Sequence, residues 1–151
     1  MDSDNQRVSG TGHVVRDKGR EHSVPADCVP VRLVPLDSMA DVHPELLRTS
    51  IIKCDVEGFE LMVFRGALKT INASRPVVIA EVGGAEQHGY DNDELFSFFD
   101  RLGYESYVAV SPSVLRPSRK AGPIPEGQRP NRIFIPQEFD LESHELDVVR
   151  K

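Results

Sequence analysis

The stretch Ser50-Ile51-Ile52-Lys53-Cys54-Asp55-Val56-Glu57-Gly58-Phe59-Glu60 decides the fold. Its opening residues are compact, mostly apolar and end on an acid, the pattern of a buried strand that delivers a carboxylate to its carboxyl end. Gly58 interrupts the run, and from Phe59 to about Asn72 the apolar period becomes that of a helix, with Leu61, Phe64, Leu68 and Ile71 on one stripe. Glu57 and Glu60 stand at its start and Arg65 and Lys69 toward its end, as the helix dipole prefers. Gly66 and Ala67 keep one side slim enough to lie close on a sheet.

Moving outward, Pro76 stops the connection and Val77-Val78-Ile79-Ala80-Glu81-Val82 is predicted as a second buried strand, broken by Gly83-Gly84. Asp91 or Asn92 caps a helix carrying Leu95, Phe98, Phe99 and Leu102, with Gly103 just past its end. Tyr104 to Val110 is a third strand. Residues 111–130, with Pro112, Pro117, Pro123, Pro125 and Pro130, are expected as a long loop, and Arg132-Ile133-Phe134-Ile135 as a fourth strand closed by Pro136. On the amino side, Val31-Arg32-Leu33-Val34 alternates as a short strand stopped by Pro35. Asp37 or Ser38 then caps a short helix to about Arg48.

The order strand, helix, strand, helix, strand, loop, strand predicts an α/β domain. Its βαβ crossovers imply a mostly parallel sheet, and a last strand reached without a helix pairs antiparallel, at the edge, with its predecessor. Three zones follow: a polar arm or insertion over residues 1–30, the domain over 31–136, and a charged tail over 137–151 that forms a peripheral helix around Leu141 to Val149 or none.

Hydrophobic residues make up 39% and charged residues 28% of the 151, with no Trp, which suits one soluble globular core. The net charge of −6 disfavours nonspecific nucleic-acid binding, which depends on a basic field. No apolar run reaches the ~20 residues needed to span a bilayer, and MDSDNQRVSG has no signal-peptide core, so the expectation is cytoplasmic and without a membrane partner. Cys28 and Cys54 form neither a disulfide framework nor a zinc spacing, and Cys54 reads as a small core residue.

In an open α/β sheet, ligands bind beyond the carboxyl ends of the strands. Asp55 and Glu81 end their strands there, where burial of a carboxylate is costly unless it is paired or hydrogen-bonded. Glu57 and Glu60 extend the acidic rim, and Lys53 interrupts the apolar strand, either paired with Asp55 or Glu81 or orienting a substrate oxygen. Such acids could accept hydrogen bonds from hydroxyls or take a proton from an attacking oxygen. Mg²⁺ is compatible with them, but no spacing indicates a metal site. His88 and Tyr90 follow the Gly83-Gly84 break at the same edge of the sheet. Arg116, Arg119, Lys120 and Arg129 make the proline-rich loop locally basic, a solvated surface or a seat for an anionic group.

Ile51 to Glu60 resembles the K-x-D-x-E-G-x-E signature of FkbM-type methyltransferases. Val34-Pro35-Leu36-Asp37 resembles the "LD" element that precedes it, Phe64-Arg65-Gly66-Ala67 the helix that follows, and Arg75 to Glu81 the next strand; Gly103-Tyr104 and Asn131 to Pro136 match more loosely. The resemblance runs from about residue 31 to 136. It implies a Rossmann-like fold, S-adenosylmethionine as cofactor, and O-methylation of a hydroxyl on a sugar or secondary metabolite. The resemblance places Asp55, Glu57 and Glu81 at the cofactor and acceptor cleft. Together with the reading of the residues above, Asp55, Glu81 and Lys53 are the catalytic candidates, Asp55 and Glu57 those toward the cofactor, and Glu81, His88 and Tyr90 those toward the acceptor. The family's earlier glycine-rich strand–turn–helix, which wraps the cofactor, has no counterpart here; Ser9-Gly10-Thr11-Gly12 lacks the strand before and the helix after. The chain is therefore expected to be the carboxyl-terminal half of such a sheet, through truncation or with a partner chain completing it. The alternative is a non-catalytic remnant or interaction module without cofactor binding.

Overall fold

The computed structural model describes residues 32–118 and 131–149. The deciding stretch forms β1 (Ile51–Cys54), and Val77–Glu81 forms β2, paired parallel with it so that Cys54 lies opposite Ala80. The crossover between them is two short helices, α1 of the pair being Glu60–Arg65 and α2 Leu68–Ser74, where the apolar period foretold one. The reason for the break lies far upstream in sequence, at Asp37. Asp37 N donates to Gly66 O (2.9 Å), which draws that carbonyl away from the helical ladder. The Asp37 carboxylate then accepts from Lys69 N (2.7 Å), Thr70 N (2.9 Å) and Thr70 Oγ1 (2.9 Å), capping the second helix.

That use of Asp37 changes the reading of its own segment. Instead of one helix to Arg48, a single turn covers Leu36–Met39 and a 3-10 turn covers Pro44–Arg48. Residues 32–35 join no strand, with Leu33 and Val34 exposed, so the expected strand is not formed there; Val31 lies outside the described residues.

Beyond β2, helix α3 (Asn92–Arg101) begins at Asp91 with a full capping box, Asp91 accepting from Asp93 N (2.8 Å) and Glu94 reaching back to Asp91 N (3.2 Å). Gly103 follows in the left-handed conformation (φ 73°) and turns the chain into β3 (Tyr104–Ser111). The expected long loop instead begins with a hairpin partner, β4 (Val114–Pro117). β5 (Asn131–Pro136) and a short β6 (Asp147–Val148) complete a six-stranded sheet of order β1-β2-β5-β3-β4-β6. In place of a tail helix, a 3-10 turn at Glu142–His144 leads into β6, which runs parallel to β4.

The sheet is mixed. β1, β2 and β3 run one way and β5 the other, antiparallel to β2 and to β3. Its place is interior and not at the edge. Phe134 (0% exposed) and Ile135 (3%) point to opposite faces, and a strand with both faces apolar has to be covered on both.

On one face α1, α2 and α3 pack over Cys54, Val78, Ala80 and Phe134. Phe99 is the hub, stacked on Phe134 at 4.2 Å and meeting Phe64, Phe98 and Tyr104 edge-on at 5.0–5.3 Å. The other face is covered over β3, β4 and β5 by Phe139, Leu141, Leu146 and Val148 of the tail. Ile51 on β1 stays exposed. No helix among the described residues is long and apolar enough to cross a membrane.

Candidate active site

Extending the β1–β2 register one step sets Asp55 across from Glu81, at the carboxyl ends of neighbouring parallel strands. The two carboxyls share a hydrogen bond, and this, with partial burial and the charges of Asp55, Glu57 and Glu60, holds the Glu81 carboxyl above the ordinary glutamate range. Lys53 Nζ donates to Asp55 Oδ2 at 2.7 Å. The ammonium therefore favours negative charge on Asp55, and the proton of the pair belongs on Glu81. Both Lys53 and Asp55 are about half exposed, so the ion pair is open to solvent and to a ligand.

The turn after Asp55 is unusual. Glu57 (φ 53°) and Gly58 (φ 92°) are both left-handed, and for Glu57 this costs about 1 kcal/mol. Glu60, only 3% exposed, does not merely favour the helix start: its Oε1 accepts from Val56 N at 2.9 Å, closing the turn from inside. A Cβ on Gly58 would lie 2.5 Å from Gly84 C and O, so only glycine allows the turn to rest on the loop that leaves β2.

That second loop reaches back. Tyr90 donates its hydroxyl to Gly58 O, and the His88 ring lies 3.3 Å from Glu57 O through Nε2 and meets Phe59 edge-on at 5.2 Å. The structure thus gathers Lys53, Asp55, Glu57, Glu81, His88 and Tyr90 at one rim. Tyr90's hydroxyl is directed into the protein, and burial pushes the phenol up to about 12. Arg116 stands elsewhere, on β4, separated from β2 by β5 and β3. Arg119, Lys120, Arg129 and Cys28 lie outside the described residues. Cys54 is buried and its thiol is pushed up to about 12, chiefly by desolvation, which fits an inert core residue. Among the described residues no group of three or more His, Cys, Asp or Glu side chains could hold a metal ion.

Sequence reasoning missed the inward roles of Glu60 and Tyr90. The adjacency Glu57-Gly58 was the available signal, because a left-handed turn needs something to hold it.

In open α/β sheets the carboxyl ends of adjacent parallel strands are where ligands generally bind, and the Asp55–Glu81 pair stands at that end of β1 and β2. Residues 2–106 match the methyltransferase FkbM domain, and the chain belongs to that family. The match takes in the turn from Lys53 to Glu60 and both rim acids, as well as residues 2–30, which composition set apart as an arm. No curated protein and no solved structure matches the chain.

Proposed function

We propose that the chain is an S-adenosylmethionine-dependent methyltransferase of the FkbM type acting on a hydroxyl oxygen of a sugar or secondary metabolite. One observation carries the reading: the proton-sharing Asp55–Glu81 pair, with Lys53 biasing it, at the strand ends of a chain that belongs to a methyltransferase family.

The rim suits such a cofactor. Its carboxylates can accept hydrogen bonds from ribose hydroxyls and from the methionine ammonium, and they favour the positive charge at sulfur. Gly83 offers room beside Glu81, since a Cβ there would meet nothing within 4 Å. Asp55 and Glu57 are the groups we assign to the cofactor side, Glu81 and His88 to the acceptor side. When bound, the cofactor supplies an electrophilic methyl group.

The chain's own task is proton management and alignment. Above its raised titration range Glu81 has given the pair's proton to solvent, and in that ionised form it accepts the hydrogen of the acceptor hydroxyl and takes its proton as the oxygen attacks. Its raised affinity for protons makes it a stronger base than an ordinary glutamate. Lys53 keeps Asp55 charged, so that Asp55 does not compete for that proton.

Titration calorimetry of the chain with S-adenosylmethionine, followed by transfer of a labelled methyl group onto a panel of polyhydroxylated acceptors, tests the proposal. Micromolar binding and label on oxygen are expected, with E81Q and D55N each lowering kcat by about 10²–10⁴. Binding no tighter than millimolar would sink the catalytic reading and leave an interaction module.

A further inference from the structure

The turn between Asp55 and Glu60 is held at successive backbone atoms. Glu60 takes Val56 N (2.9 Å), Phe59 N takes Val56 O (3.2 Å), His88 sits on Glu57 O (3.3 Å) and Tyr90 on Gly58 O. The first two bonds are internal to the turn and its helix. The last two come from the segment leaving Glu81, so they tie the end of one strand to the end of the other. Gly58 against Gly84 makes the same connection through backbone contact.

We propose that Tyr90 is a positioning residue: its hydroxyl on the Gly58 carbonyl, assisted by His88 on the Glu57 carbonyl, holds Asp55 in register against Glu81. The inference rests on reading those two carboxyls as the working acids, but its geometry can be measured without any activity. A phenol already committed to a backbone carbonyl does not serve as a substrate contact, and its ring is partly buried against the main core cluster.

The charged groups facing Glu81 are Asp55 from the end of β1 and Glu57 and Glu60 from the turn and its helix, with Lys53 acting through Asp55. Y90F alters none of them. Any change in the titration of Glu81 in that variant therefore reports the separation of the two carboxyls and not a change of charge.

The experiment is a carbon-13 NMR titration of the Glu81 carboxyl in the full chain, in wild type, Y90F and D55N, with thermal unfolding as a check on folding. D55N sets the scale by removing the partner acid. Y90F should recover part of that downward shift of the Glu81 midpoint toward the ordinary glutamate range. A folded Y90F whose Glu81 titrates as in wild type overturns the proposal. Should Y90F fail to fold, H88A carries the test: the same direction with a smaller shift is expected, and an unmoved midpoint overturns it. A Glu81 midpoint that responds to Y90F in a chain that binds no S-adenosylmethionine would leave the positioning role standing and remove the methyltransferase reading alone.

Discussion

Asp37 and Asp55 each stand at the edge of the same crossover, yet their surroundings are opposite. Asp37 sits where donors converge: the backbone Lys69 N and Thr70 N and the Thr70 hydroxyl all donate to its carboxylate oxygens, and its own N–H donates to Gly66 O. Asp55 faces another acid, with a half-exposed lysine as its counter-charge. The first carboxylate is satisfied by the fold and stabilises it. The second belongs to an arrangement that raises the energy of its partner's charged form, which a fold has no stability reason to keep. A carboxylate's place on a strand or helix end does not distinguish these cases; what points at it does.

The largest effect that would break this contrast is expected at Asp37. D37A removes the cap of α2 and the bond that links the amino-terminal segment to Thr70. It should cost about 2 kcal/mol in urea unfolding, near the top of the range for helix caps, while leaving the Glu81 titration where it was. A loss below about 0.5 kcal/mol would mean that the convergent donors do not matter and the contrast fails.

E81Q sharpens the other side. The folded-state proton affinity of Glu81 is raised, so the stability it contributes is fully present below its unfolded value, near 4.5, and is lost as pH rises through the folded value. Wild type should therefore lose stability across that window, and E81Q should lose less. At neutral pH the variant should be as stable as wild type or more so, while under the proposed function its methyl transfer should fall. Urea melts from pH 4 to 8 measure it, in about half-unit steps. A destabilised E81Q would make Glu81 a structural acid like Asp37.

The smallest effect belongs to the far end of the sheet. Arg75 donates to Glu138 (2.5 and 2.9 Å) and to the carbonyls of Leu102 (2.7 Å) and Gly103 (3.3 Å), closing α3 and the tail together. The guanidinium pulls the Glu138 carboxyl down to about 2. The sign is the reverse of Glu81: this contribution is present above about 4.5 and lost as pH falls toward 2. Glu138 is largely exposed, so E138Q should change neutral-pH stability by less than about 1 kcal/mol and flatten only the acid limb of the melt series.

Much of this was legible in the residues. The strand at Ile51–Cys54, the strand at Val77–Glu81 and the helix with its Asp91–Glu94 capping box carry their own periods and caps, and local rules suffice for them. The acids were legible as well, because Asp55 and Glu81 close apolar runs that would not otherwise end on a charge. The split at Gly66 was not legible, since its cause, Asp37, is local only in space. Neither were β4 and β6. Both are short, and their pairing depends on the tail folding back over Leu115. The placement of β5 between β2 and β3 needed knowledge of which faces would be covered.

By itself, then, the sequence determined an α/β chain with two neighbouring strands that end on acids, because hydrophobic period and chain-end chemistry are properties of neighbouring residues; that β1 lies at the sheet edge with only Cys54 buried was not among them. The tertiary structure alone decided which of those acids are partnered by backbone and which by each other. That depends on groups brought together from far along the chain, the Thr70 hydroxyl donating to Asp37 in one case and the Tyr90 hydroxyl to Gly58 O in the other. The opening stretch supplied the acid at residue 55. The fold supplied its opponent and the clamp that keeps the two together.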